Sequence, residues 1–119
     1  MILDHFTVHT KDLEKASHFY QQILGLKDGY RPPFDGPPGL WLYGAQGRPV
    51  VHLYAGREEA SGLSSAVDHI AFQAENLGEI LERLEEHNVS YQKVTVPDIG
   101  TTQIFFCDPD GITIELNFD

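Results

Sequence analysis

Apolar and polar positions change period several times along the chain, and each change marks an element. Residues 2 to 9 alternate, with Leu3, His5, Thr7 and His9 on one face and Asp4, Phe6 and Val8 on the other. This predicts a strand with Phe6 and Val8 packed inward. From Asp12 to Leu24 the spacing turns helical: Leu13, Ala16, Tyr20, Ile23 and Leu24 recur on one side, with Lys, Glu and Gln between them. Gly25 suits the position just past that helix. Residues 27 to 40 hold four prolines and three glycines, which forbid a long helix and disfavour a central strand, so a structured loop with room for one short strand is expected. Trp41 to Tyr43 then predicts a strand, residues 44 to 47 a hairpin turn, and Pro49 to Tyr54 a further strand.

The second half repeats the first. Leu3-Asp4-His5-Phe6-Thr7-Val8 returns as Val67-Asp68-His69-Ile70-Ala71-Phe72, an offset of 64, while Trp41 falls over Ile104 and His52 over Glu115, an offset of 63. One slipped residue over some fifty positions indicates a duplicated module. In the second copy Asn76 and Glu79 have the spacing of a capping box ahead of the stripe Leu77, Ile80, Leu81 and Leu84, and Asn88 ends that helix. Val89 to Val96, Ile104 to Cys107 and Ile112 to Phe118 read as strands, the last two joined by a tight turn at Asp108-Pro109-Asp110-Gly111. The expected fold class is α+β, a single domain of two βαβββ modules: residues 1–55, a small and polar connector at 56–66, and residues 67–119.

Composition narrows the function. With 41% hydrophobic and 22% charged residues the chain has the make-up of a globular protein, and 119 residues suffice for one core. A formal charge of -10 repels phosphate backbones and anionic lipid surfaces, so neither nucleic acid nor membrane is an expected partner. The single cysteine, Cys107, excludes an intrachain disulfide, and the first residues lack a signal-peptide core, so a cytoplasmic location is expected. Phosphate-binding glycine loops, a nucleophile elbow and paired cysteines are all absent from the sequence.

The repeat aligns four metal-capable side chains at two equivalent places: His5 with His69, and His52 with Glu115. Taken alone, Glu115 reads as part of a solvent face with Thr113 and Asn117. His52 is flanked by Val50, Val51, Leu53 and Tyr54, so both faces of its strand are expected to be covered, and a covered imidazole needs a partner. Three imidazoles and a carboxylate suit a divalent zinc, nickel, cobalt, iron or manganese ion. Tyr54, two residues beyond His52, reads either as a phenol for the same site or as core or rim packing. His18 and His87 read as helix-surface histidines, and His9, on the His5 face, reads either as a residue reaching the same cavity or as a strand-end surface histidine. Asp4 and Asp68 should point away from their histidine neighbours, and Trp41, Tyr43, Phe105 and Phe106 read as core.

The paired LDHFTV and VDHIAF strands, the DLEKASHFYQQILGL helix and the closing FFCDPDGITIELNF together resemble the vicinal oxygen chelate superfamily, which includes glyoxalase I, fosfomycin-resistance proteins, extradiol dioxygenases and bleomycin-resistance proteins. The resemblance implies two βαβββ modules forming an incomplete, cupped barrel around a divalent metal, in a homodimer. It further implies that His5, His69 and Glu115 are ligands, with His52 standing where glyoxalase I has a glutamate. Extradiol dioxygenases match His5, His69 and Glu115 and leave the place of His52 open. The implied function is a metal-dependent lyase, isomerase or dioxygenase binding a small substrate through vicinal oxygens, with Glu115, His52 and Tyr54 as catalytic candidates and the proline-rich loop as a cover. The alternative is a non-catalytic, bleomycin-resistance-type binding protein; those members lack the metal ligands that stand here.

Overall fold

The computed structural model of the chain describes residues 2–33, 35–58, 67, 69–97 and 99–119. It divides into two compact units, Met1–Leu63 and Ser64–Asp119. Among the described residues each unit builds one helix and one four-stranded mixed sheet, so the expected α+β class with two βαβββ modules is the observed one.

The first unit runs β1 (Phe6–His9), α1 (Leu13–Gln22), β2 (Lys27–Gly29), β3 (Gly39–Tyr43) and β4 (Pro49–Tyr54). Its sheet order is β1-β4-β3-β2, with β1 parallel to β4 and the other pairs antiparallel. A parallel pair needs a crossover, and α1 begins it. The helix starts where Asp12, in extended backbone, accepts a hydrogen bond from the Lys15 backbone N–H at 3.0 Å, a cap worth about 1 kcal/mol. It ends before Gly25, whose φ of 69° is the left-handed conformation glycine adopts without strain. The buried residues Ala16, Phe19 and Tyr20 of α1, which packs on β3 and β4, and the fully buried Leu42, Val51 and Leu53 of those strands form the core. Each such aliphatic contributes about 1.5–3 kcal/mol on leaving water. Gly39 is constrained differently: a Cβ there would lie 2.0 Å from the Leu53 carbonyl oxygen. Residues 2–5 do not join the strand predicted from residue 2, and Ile2 and Leu3 are 92% and 79% exposed.

The second unit repeats the plan with β5 (Ile70–Gln73), α2 (Leu77–Glu86), β6 (Gln92–Thr95), β7 (Thr102–Cys107) and β8 (Thr113–Phe118), ordered β5-β8-β7-β6 with β5 parallel to β8. Ile80, Leu84, Ile104, Phe106, Ile114 and Leu116 are buried. The capping box does not form. Asn76 takes a left-handed backbone (φ 62°), which an asparagine tolerates but which is not the extended conformation a cap requires, and its side chain makes no cap bond. Glu79 instead accepts from Arg83 one turn later at 2.6 Å. At the other end the β7–β8 turn is held by Asp108, whose Oδ1 accepts from the backbone N–H groups of Asp110 and Ile112 at 2.9 and 2.8 Å. Beyond residue 58 the proposed connector lies outside the described residues, as does Asp68. No helix among the described residues is long and apolar enough to cross a membrane.

Candidate functional site

In the first module the alternation of β4 sets the site. Val51 and Leu53 point into the core, so His52 points to the opposite face, where Trp41 is its cross-strand partner on β3 and Thr7 its partner on β1. The imidazole is 6% exposed because rings cover it on both sides. The His5 ring stacks at 3.9 Å between centroids and 12° between planes, and Trp41 stacks at 4.2 Å and 13°. Its Nε2 is buried and meets no hydrogen-bond partner among the described residues. Burial, and then the neighbouring His5, lower the His52 pKa below the ordinary imidazole value. His5 in turn is held through Nδ1, 2.6 Å from Asp4 Oδ2, while Arg48 Nη2 donates to the other oxygen of Asp4. The bond from His5 is the largest cause holding the Asp4 carboxyl below its usual value. Asp4 therefore does not turn away from His5 as expected: outside a regular strand, neighbouring side chains are not forced to opposite faces. Tyr54 is half-buried further along the His52 face, with the Arg31 guanidinium carbon 5.9 Å from its ring centroid.

In the second module β8 does the same for Glu115. Ile114 and Leu116 fill the core, and Glu115 lies opposite Ala71 on β5 and Phe105 on β7. The carboxylate is not on a solvent face: Glu115 is 6% exposed. Gln103 Nε2 donates to its Oε1 at 2.8 Å and to Asn117 Oδ1 at 3.0 Å, using both hydrogens of that amide. His69 Nε2 lies 2.9 Å from Oε2, and the edge of Phe105 meets the His69 ring at 6.3 Å. A buried carboxylate is thus bracketed by two named partners.

The Glyoxalase/Bleomycin resistance protein/Dioxygenase superfamily model matches residues 2–116. The chain belongs to this superfamily. It is 33% identical over 120 residues to "Glyoxylase I 4" of Arabidopsis thaliana, covering 96% of this chain and 68% of that protein. It is 30% identical to a lactoylglutathione lyase of Salmonella typhimurium, covering 98% and 91%. Among solved structures, a variant of the fosfomycin resistance protein FosX from Listeria monocytogenes, in complex with Mn(II) and 1S,2S-dihydroxypropylphosphonic acid, aligns with a TM-score of 0.79 at 25% identity over 99% of this chain and 93% of that one.

Within this superfamily member the four expected ligands fall into two pairs, His5 with His52 and His69 with Glu115, each inside its own module. Among the described residues no three His, Cys, Asp or Glu side chains are placed together to hold an ion. The donor chemistry nevertheless fits a divalent metal. The lone pair on His52 Nε2 faces no protein hydrogen among the described residues, and an imidazole kept neutral is the form that binds metal. His69 and Glu115 already bring a nitrogen and an oxygen to 2.9 Å. The other expectations divide. His9 Nε2 contacts the Ala55 carbonyl at 3.1 Å, His18 and His87 are exposed on or beside helices, and Cys107 is exposed at the end of β7. The pairing of Phe105 with Glu115 and of Gln103 with Asn117 was legible by counting from the turn at 108–111; the bond from Gln103 to Glu115 was not, nor was the place of Trp41 opposite His52, because the β3–β4 register shifts between Leu42 and Tyr43. Trp41 and Phe105 were expected in the core.

Proposed function

We propose that the protein is a divalent-metal-dependent enzyme of the glyoxalase or dioxygenase kind, acting on a small molecule that presents two adjacent oxygens. The observation that carries this reading is the buried Nε2 of His52, stacked between two rings and meeting no hydrogen-bond donor or acceptor among the described residues. His5, His52, His69 and Glu115 are the proposed ligands, and zinc, nickel, cobalt, iron or manganese the candidate ions. Each module contributes two donors, whereas such ions take four or more. Neither pair suffices by itself. The bound ion would supply a Lewis acid for negative charge developing on substrate oxygen.

The remaining work falls to the chain's own groups. Glu115 Oε1 accepts from Gln103 and Oε2 lies 2.9 Å from His69 Nε2, so both partners orient a carboxylate proposed to take up or return a proton. His52, kept neutral by its cover, offers a lone pair without adding charge. The Tyr54 hydroxyl offers a hydrogen bond to substrate on the same face of β4. The relatives support this reading through their chemistry. Two are named for glyoxalase-type activity, and the FosX complex pairs a divalent ion with a ligand bearing adjacent hydroxyls. A homodimer, checked by light scattering, belongs to the same proposal. The discriminating assay compares anaerobic turnover of hemithioacetals with oxygen uptake on catechols. Turnover of one class is expected, lost on chelation and restored by a single divalent ion. Turnover that survives exhaustive chelation would refute the reading.

A further inference from the structure

The two stacked imidazoles of the first module present the same nitrogen. The His52 ring bonds the Pro49 backbone, where a proline offers only its carbonyl, and Nε2 meets no partner among the described residues, so Nδ1 carries the hydrogen. His5, stacked on it at 3.9 Å, has its own Nδ1 2.6 Å from Asp4 Oδ2. Asp4 accepts from Arg48 through its other oxygen, and its carboxyl is held below its usual value first by the bond with His5 and also by the Arg48 charge. An ionised carboxylate only accepts, so a neutral His5 carries its hydrogen on Nδ1 and its lone pair on Nε2. The fold itself does not call for these contacts. Residues 2–5 precede β1, and the strand register, which begins at Phe6, does not aim the His5 ring. Arg48 is placed by the β3–β4 turn, where its carbonyl accepts from the Gly44 N–H at 2.9 Å. The matching hairpin of the second module has Gly111 at the position offset by 63 and closes without a cation there. The Asp4–Arg48 pair is exposed, so it contributes little to stability.

We propose that Asp4, anchored by Arg48, is a positioning residue for metal binding: it fixes His5 in the tautomer whose Nε2 is the ligating nitrogen, beside the Nε2 of His52. A ligating imidazole whose other nitrogen donates to a carboxylate keeps its tautomer and its orientation, and is the more basic donor for it. For His52 the Pro49 backbone does this work; for His5 a side chain does, which makes the effect open to substitution. The inference rests on the proposed function in that His5 and His52 are taken as ligands of one ion.

The test uses full-length protein stripped of metal by chelator, as wild type, Asp4→Ala, Asp4→Asn and Arg48→Met. Nitrogen NMR of the imidazoles at pH about 8, above the ordinary histidine value, reads which ring nitrogen carries the hydrogen. In the wild type both His5 and His52 should carry it on Nδ1; in Asp4→Ala His5 alone should become a mixture of tautomers. The same samples are titrated with nickel, which a given site binds more tightly than manganese, iron or cobalt. Affinity should fall roughly 10–100-fold in Asp4→Ala, recover in part in Asp4→Asn, whose amide oxygen still accepts, and fall by a smaller factor in Arg48→Met, all at the melting temperature of the wild type. A wild-type His5 with its hydrogen on Nε2 would overturn the proposal. Nickel bound equally by the wild type and Asp4→Ala would overturn it while leaving the metal reading in place, whereas a wild type that binds no nickel would contradict both. If Asp4→Ala fails to fold, wild-type affinity in Arg48→Met overturns the proposal instead.

Discussion

At His52 a polar nitrogen is buried where the described residues offer it nothing to bond, an arrangement that costs roughly 1–3 kcal/mol. The proposed metal ligation would account for it, and two measurements check that. His52→Phe preserves a ring for His5 and Trp41 to stack on while removing the buried Nε2 together with the ring's hydrogen bond to the Pro49 backbone. The two losses oppose each other, so stability should stay within about 1 kcal/mol of the wild type; a loss above about 3 kcal/mol, more than the Pro49 bond accounts for, would mean that Nε2 is satisfied in the fold. The second is the pH dependence. The folded pKa lies below the value of 6.5 that an unfolded histidine shows, so the unfolded chain takes up the proton first. The contribution is fully present above about 6.5 and is lost as pH falls through the folded pKa. By NMR His52 should titrate below 6.5, and the melting temperature should decline as pH drops through that window; a midpoint at or above 6.5 contradicts the burial argument. The covering of His52 was legible from its apolar neighbours. That of Glu115 was not, because its cover comes from Gln103 and His69, which sequence separates by 12 and 46 positions.

Among the elements, the β7–β8 hairpin decides where Glu115 and Gln103 stand. Asp108 closes it through two backbone N–H groups, and the register Phe105↔Glu115 and Gln103↔Asn117 follows from that turn. Asp108→Ala should destabilise the chain by about 1–3 kcal/mol in denaturant unfolding. Asp108→Asn, whose amide oxygen can still accept, should recover much of that loss. An Asp108→Ala variant as stable as the wild type would remove the turn from the account. The same scale shows what pattern reading captures. Periodicity located both helices and most strands, since side-chain spacing is a property of the local backbone. It misjudged the Asn76 cap and the start of β1, because a left-handed asparagine and an unpaired strand end depend on what the rest of the module presents.

At the scale of the whole molecule, two units with the same strand order carry equivalent pairs of metal-capable side chains. The duplication was legible because the offset holds across both sequence halves; the pairing within each module was not, since the strand order that brings His5 to His52 appears only once the sheet is formed. The most direct test is metal content per chain, measured on protein purified without chelator and on His5→Ala, His52→Ala, His69→Ala and Glu115→Gln. About one divalent ion per chain is expected in the wild type. Loss of most of it is expected from each substitution, whichever module it falls in. Full metal content in the variants of either module, or two ions per chain that respond separately to the two pairs, would contradict the account.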